Sequence, residues 1–264
     1  MEIPFFQVDA FTDQPFKGNP AAVCITDSAL PETTMQQIAA ENNLAETAFV
    51  SQAAGTFNLR WFTPLTEVPL CGHATLATAH TLWQQGLADP LQEIRFDTQS
   101  GRLTAVRNED WITLNFPSLT GHTVHLPQEV QEILGVTPVH TIDVFNRYLV
   151  EVATEAEVYD VCPDFARLTP YPKVIVTAKA AAGSGYDFIS RFFAPCIGIN
   201  EDPVTGSAHC CLAPYWSAKL GKPEMQAYQA SSRGGALRVK VDGDRVLLSG
   251  QAVTLIRGAY IINN

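Results

Sequence analysis

The feature that most limits how this chain can fold is an internal repeat at one fixed offset. Glu67-Val68-Pro69-Leu70-Cys71-Gly72-His73-Ala74 lines up with Glu201-Asp202-Pro203-Val204-Thr205-Gly206-Ser207-Ala208, a spacing of 134 residues. The spacing then holds for Gly101 with Gly235, Leu103 with Leu237, Asp110 with Asp244 and Leu114 with Leu248. Just upstream, Arg60-Trp61-Phe62-Thr63-Pro64 matches Arg191-Phe192-Phe193-Ala194-Pro195, and the second copy has three more residues before Glu201. The chain of 264 residues therefore reads as two homologous halves, 1–120 and 121–264, joined within 117–140, where Pro117, Gly121, Pro127 and Pro138 fall. With 46% hydrophobic and 17% charged residues there is enough apolar material for a core in each half.

Both halves show the same coarse order. A strand opens each (Phe5–Phe11, Thr141–Val150), and a helix follows at 31–43 and 154–167. Two strands come next, 46–52 with 56–63 and 173–178 with 186–194. A helix rich in small residues then runs from Gly72 to Gln84 and from Gly206 to Leu220, and hairpins close each half. In the first of these helices Ala74, Leu76, Ala77, Ala79, Leu82 and Trp83 cover nearly every face, which marks a buried helix. The expected fold class is α+β, with two pseudo-symmetric halves, each a curled mixed or antiparallel sheet or barrel around a central buried helix.

Charge and composition exclude several functions. Lys and Arg number 17 against 27 Asp and Glu, a net charge of −10, which argues against nucleic acid and anionic membranes as partners. No apolar run approaches a membrane span, and the acidic start Met1-Glu2 lacks the basic region of a signal peptide, so a cytoplasmic protein is expected. None of the six cysteines (Cys24, Cys71, Cys162, Cys196, Cys210, Cys211) forms a C-x-x-C pair, so they read as reduced thiols rather than staples or zinc ligands. His80, His122, His125, His140 and His209 read as surface or core residues, and no metal is expected.

The chemistry concentrates in the matched loops. A helix N-terminus presents unpaired N–H groups and a positive dipole end, which suits an anion. Two such starts, at Gly72 and Gly206, carry His73 and Ser207 in the same register, with Asp202 and Thr205 close by. The alternative is that the glycines permit tight turns and Ser207 caps its helix. Glu46 opens an apolar strand straight after a helix, among Leu44, Ala48 and Phe49. Burial there would raise its pKa toward the working range of a general acid/base; the alternative is a surface Glu at a strand edge. The corresponding stretch of the second half, taken as Thr177-Ala178-Lys179, offers no acid.

Several strings together carry a resemblance. Val8-Asp9-Ala10-Phe11-Thr12, Gly18-Asn19-Pro20-Ala21-Ala22-Val23, Glu46-Thr47-Ala48-Phe49-Val50, the run from Arg60 to Thr75 and the run from Arg191 to Ala208 resemble the PhzF family of phenazine-biosynthesis isomerase-like proteins, over essentially the whole chain. The family is similar in fold to diaminopimelate epimerase, with its active site in a cleft between two pseudo-symmetric halves. The resemblance implies that Glu46 is the catalytic acid/base. It also implies that Gly72, His73, Asp202, Gly206 and Ser207 bind a small carboxylate substrate, that no cofactor is used and that the protein is a homodimer. In the family's characterised reaction a Glu moves a proton between carbons of a cyclohexadiene amino acid.

Three functional classes follow. The first is a cofactor-independent isomerase acting through Glu46. The second is an amino-acid racemase or epimerase using Glu46 with Cys71 or another partner. The third is a non-catalytic small-molecule binding or interaction protein on the same scaffold. Two-thiol racemases place one Cys in each half. Here Cys71 has no counterpart between Glu201 and Ser207, and Cys210 and Cys211 lie one turn into the helix as core residues, which disfavours a symmetric two-thiol mechanism.

Overall fold

The sequence repeat is written into the strand pairing. The structure, a computed structural model, describes residues 1–53 and 55–262. Two compact units divide the chain, one formed by residues 1–115 together with those from 249 onward, the other by Phe116–Leu248.

The first unit runs β1 (Glu2–Ala10), β2 (Asn19–Thr26), α1 (Glu32–Asn42), β3 (Glu46–Ala53), β4 (Thr56–Phe62), β5 (Glu67–Val68), α2 (Gly72–Gln84), β6 (Ile94–Thr98), β7 (Gly101–Asn108) and β8 (Trp111–Pro117). The second runs β9 (His122–Thr123), α3 (Gln128–Leu134), β10 (His140–Asp143), β11 (Arg147–Glu151), α4 (Glu155–Asp160), α5 (Phe165–Leu168), β12 (Lys173–Lys179), β13 (Phe188–Ala194), β14 (Ile199–Glu201), α6 (Gly206–Leu220), β15 (Glu224–Gln229), β16 (Gly235–Asp242) and β17 (Arg245–Gly250). The chain then forms β18 (Ala252–Ile261), which pairs antiparallel with the whole of β1, from Ala252 opposite Ala10 to Ile261 opposite Glu2.

Within each unit the pairings repeat in order. β1 and β2 are antiparallel, as are β10 and β11. β2 and β3 are parallel across α1, and β11 and β12 are parallel across α4 and α5. β3 with β4 and β4 with β5 are antiparallel, matched by β12 with β13 and β13 with β14. β4 runs parallel to β6 across α2, and β13 runs parallel to β15 across α6. The three additional residues of the second copy are accommodated by the 3₁₀ turn Pro195–Ile197.

The repeat also conserves a charged clamp. Arg60 donates two parallel hydrogen bonds to Glu67, each 2.6 Å, and its guanidinium lies 5.2 Å from the centre of the Phe62 ring. Arg191 does the same to Glu201 at 2.7 and 2.9 Å, and lies 4.9 Å from the centre of Phe193. Fork-on-carboxylate geometry is the strong form of an ion pair, and here it ties β4 to the strand that leads into α2, and β13 to the strand that leads into α6.

The central helices form as the composition requires. Of the 13 residues of α2, ten are buried, against β1, β2, β3 and β18. Its buried hydroxyls do not need water, because Thr75, Thr78 and Thr81 donate to the carbonyls of Cys71, Ala74 and Ala77 one turn back. In α6, Cys210 and Cys211 are buried, and burial pushes the Cys211 thiol up to about 11, so neither helical thiol is a nucleophile.

Several sequence expectations shift. The half boundary at 120/121 gives way to a division in which residues 249–262 complete the first unit, because β1 has an unpaired edge that β18 fills. The joining stretch 117–140 contains a helix, α3, closed by Gly135 in the left-handed conformation (φ 67°). The expected helix 154–167 is two short helices, interrupted at Cys162-Pro163 because proline cannot donate to the turn before it. The single strand 141–150 is a hairpin that turns at Phe145 and Asn146, both with positive φ. The opening strand 5–11 is likewise followed by a second strand, β2, that the sequence reading passed over.

Register also corrects the position equivalent to Glu46. Thr47 lies opposite Phe62, and Val174 lies opposite Phe193, the repeat mate of Phe62. Glu46 therefore corresponds to Lys173 and not to 177–179. The expectation that the second half offers no acid there stands.

Candidate active site

α1 ends at Asn43, whose left-handed backbone (φ 49°) turns the chain into Leu44-Ala45 and delivers Glu46 as the first residue of β3. α2 starts at Gly72, so His73 is in its first turn, and helical side chains lean toward the N-terminus. The two meet. His73 Nε2 lies 3.2 Å from a Glu46 carboxylate oxygen, with side-chain exposures of 6% and 13%. The contact is within ion-pair range but is not aligned as a hydrogen bond. Burial lowers the His73 pKa to about 3, so the imidazole is neutral and the contact is one of charge with dipole rather than an ion pair.

The other ring nitrogen has two neighbours. Asn19 Nδ2 stands 3.2 Å from His73 Nδ1, and Cys71 Sγ stands 3.6 Å from it. Asn19 is placed by the loop before it. Asp9 accepts a hydrogen bond from the Phe16 amide at 2.8 Å, and Gly18 (φ 63°) passes so close to Ala10 that a Cβ would lie 2.2 Å from its carbonyl oxygen. Only glycine fits before Asn19.

Glu46, Cys71 and His73 thus converge, with one potential ligand atom from each lying within 4.8 Å of the others. A carboxylate, a thiol and an imidazole are a donor set that could hold a zinc-like ion. The same three groups can exchange protons without one.

In the second unit the matched loop is locked from below. Thr205 Oγ1 donates to Asp202 at 2.5 Å, the Thr205 amide donates to Gln229 Oε1 at 2.8 Å, and Gln229 Nε2 donates to the Asp202 carbonyl at 2.7 Å. His209 Nδ1 lies 2.8 Å from the Thr205 carbonyl, and burial lowers that imidazole to about 4. Asp202 is buried, and Ser207 is half-buried in the first turn of α6.

The bland readings of the two helix starts fail on geometry. Neither Gly72 nor Gly206 has a positive φ, so a tight turn is not what places glycine there. The cap residues are Cys71 and Thr205, and neither helix start is capped by a side chain. Ser207 lies inside α6 and is not its cap.

The structure brings Glu46 and His73 of the expected residues together and sets Asp202, Gly206 and Ser207 in and beside the matched loop of the second unit, and it adds the residues that hold them. Asn19 had a signal, its place in Gly18-Asn19-Pro20. Gln229 had none, because it reaches the loop from a strand more than twenty residues downstream.

A family model described as phenazine biosynthesis-like protein matches residues 8–258. The chain belongs to this family. An uncharacterized isomerase of Halalkalibacterium halodurans is 48% identical, with 99% of this chain and 100% of that protein aligned. The human phenazine biosynthesis-like domain-containing protein is 41% identical over 98% of this chain and 99% of its own length. A solved PhzF-family protein of Enterococcus faecalis superposes with a TM-score of 0.95 at 40% identity, covering 99% and 100% of the two chains. A hydroxyproline epimerase of Agrobacterium vitis shares the fold at a TM-score of 0.61 and 11% identity, covering 98% and 92%. The epimerase-like α+β fold of two pseudo-symmetric halves is therefore that of this PhzF-family chain.

Proposed function

We propose that this protein is an isomerase that needs no cofactor and moves a proton between carbons of a small carboxylate or amino-acid-like substrate, with Glu46 as the general acid/base. The observation that carries the reading is the Glu46–His73 contact of 3.2 Å at the uncapped start of α2. A carboxylate 13% exposed is mostly withdrawn from water yet open to a ligand. Neutral His73 can orient it without neutralising it. In the proposed step the carboxylate takes a proton from a substrate carbon, the C–H electron pair enters the adjacent π system, and the Glu46 carboxyl, after exchanging its proton with solvent, delivers a proton to another carbon. The amides at the start of α2 suit the ligand's carboxylate, which fixes the reacting carbon against Glu46.

The test is proton exchange in deuterated water with candidate carboxylates and amino acids. Wild type should incorporate deuterium at carbon, and Glu46→Gln should lose about two orders of magnitude or more of that rate while still binding ligand. Exchange that survives in Glu46→Gln removes Glu46 from the chemistry, and no exchange with any ligand that binds supports a binding protein.

A second reading has one observation in its favour. Cys71 shares the His73 imidazole at 3.6 Å, as a second acid/base of an epimerase would. Chiral analysis of the exchanged product separates the two.

A further inference from the structure

Where the first unit places its carboxylate, the second places two cations. Arg147 on β11 and Lys173 on β12 are direct register partners, in the same relation as Ala21 and Glu46 on β2 and β3. Partners on adjacent strands are about 4.8 Å apart and project from the same face of the sheet, where like charges are destabilising. Both side chains are half-buried.

The face they share is that of α6. Arg147 Nη1 donates to the carbonyl of Ser207 at 3.1 Å and lies 3.3 Å from its hydroxyl oxygen. Arg147 Nε is buried with no acceptor among the described residues. The Lys173 ammonium makes no hydrogen bond or ion pair with a carboxylate among them; burial and then the neighbouring guanidinium lower its pKa, and the nearby Cys196 opposes them. A helix N-terminus favours anions, yet here it meets a guanidinium with an ammonium beside it. Four residues further along β11 the same face is balanced: Glu151 accepts from Tyr215 at 2.5 Å and pairs with Lys219. Buried charge is ordinarily paired. A guanidinium at the start of α6 with an ammonium beside it, and no carboxylate paired with either among the described residues, is explained if the counter-charge arrives with a ligand.

We propose that Arg147, Lys173, the Ser207 hydroxyl and the first turn of α6 form a binding site for a doubly charged anionic group, either two adjacent carboxylates or a phosphate. The site lies within the second unit, and only the reading of its ligand as the isomerase's substrate rests on the proposed function. Lys173 and Arg147 then select ligands with more negative charge than a single carboxylate carries.

The test compares benzoate, phthalate and inorganic phosphate by calorimetry at fixed ionic strength. Wild type should bind at least one of the two dianions about tenfold or more tighter than benzoate. Preference for phthalate assigns a dicarboxylate, and preference for phosphate a phosphorylated ligand. Lys173→Met should bring the preferred dianion to within about threefold of benzoate, and Lys173→Arg should retain the preference. In chloride buffer without a dianion, Lys173→Met should melt no lower than wild type, because it removes a like-charge contact. Equal affinities in wild type, a preference that survives Lys173→Met, or a lower melting point for that variant each overturn the proposal. Glu46→Gln keeps the anion preference here even as it loses exchange, so failure of this site and failure of the isomerase reading give different results.

Discussion

The Asn19 side-chain NH₂ lies 3.2 Å from Nδ1 of His73, inside the buried part of the site. With this NH₂ donating, Nδ1 accepts and the proton sits on Nε2, 3.2 Å from the Glu46 carboxylate though not aligned on it as a hydrogen bond. Glu46, the proposed general acid/base, therefore faces a neutral imidazole whose other nitrogen meets Asn19, the residue after the Gly18 turn.

Asn19→Asp tests this arrangement with almost no change in volume. A carboxylate at this position accepts from Nδ1–H, reverses the tautomer and turns the Nε2 lone pair toward Glu46. Deuterium exchange should fall by at least about tenfold with the fold intact. The ¹⁵N shifts of His73 should exchange their protonated and unprotonated positions, and unchanged shifts would show that Asn19 does not set the tautomer.

Cys71 separates the two catalytic readings. For a one-base isomerase, Cys71→Ala should leave exchange within about threefold of wild type, because the thiol then only packs against His73. A loss near the hundredfold expected for a removed acid/base, with loss of inverted product, would transfer the chemistry to the epimerase reading.

Stability should fall with acid in a defined window. His73 is lowered from its ordinary 6.5 to about 3, and His209 to about 4, both by burial. The unfolded chain then binds more protons than the folded one between these values and about 6.5. Stability should therefore be full above pH 6.5 and decline as pH drops, by at most about 1.4 kcal/mol per pH unit for each group. Urea titrations from pH 7.5 to 4.5 would show the slope, and His209→Gln should flatten it. A profile unchanged in that variant would mean His209 does not titrate across folding.

The two charged clamps should differ in weight. Arg191 and Glu201 have side-chain exposures of 13% and 19%, and Arg191 also donates to the carbonyls of Val158, Tyr159 and Val161 at the end of α4. Arg60 is 32% exposed and lacks those carbonyls. Arg191→Met should cost about 3 kcal/mol, since it strands a carboxylate and a helix end, and Arg60→Met about 1 kcal/mol. Urea denaturation of the two variants measures the difference, and equal losses would refute the ranking.

What could be read from the residues alone follows from which interactions are local. Gly72–Gln84 and Gly206–Leu220 were legible to the residue, because small apolar side chains around a whole helix leave no other reading. Glu46 and His73 were legible through their motifs. The Lys173 equivalence was not, because the second copy also lengthens the connection from β12 to β13, where Val174 faces Phe193 as Thr47 faces Phe62 across the shorter β3–β4 turn, and only strand register resolves the difference. The hairpin at Phe145-Asn146 escaped because its flanks read as one apolar run, and the positive φ of two non-glycine residues leaves little trace in sequence. Asp202 was found as a polar loop residue, but its tie to Thr205 and the Gln229 clamp that braces it depend on a strand brought alongside by folding.

The pairing of β18 with β1 imposes an order on biosynthesis. β1 is translated before residues 116–248 and β18 after them, so Glu2 finds Ile261 only when both have left the ribosome. Residues 116–248, contiguous in the chain, are all available before that moment. The unit that carries Arg147 and Lys173 can thus be finished on the nascent chain, while the unit that carries Glu46 waits with an open strand edge until β18 has emerged.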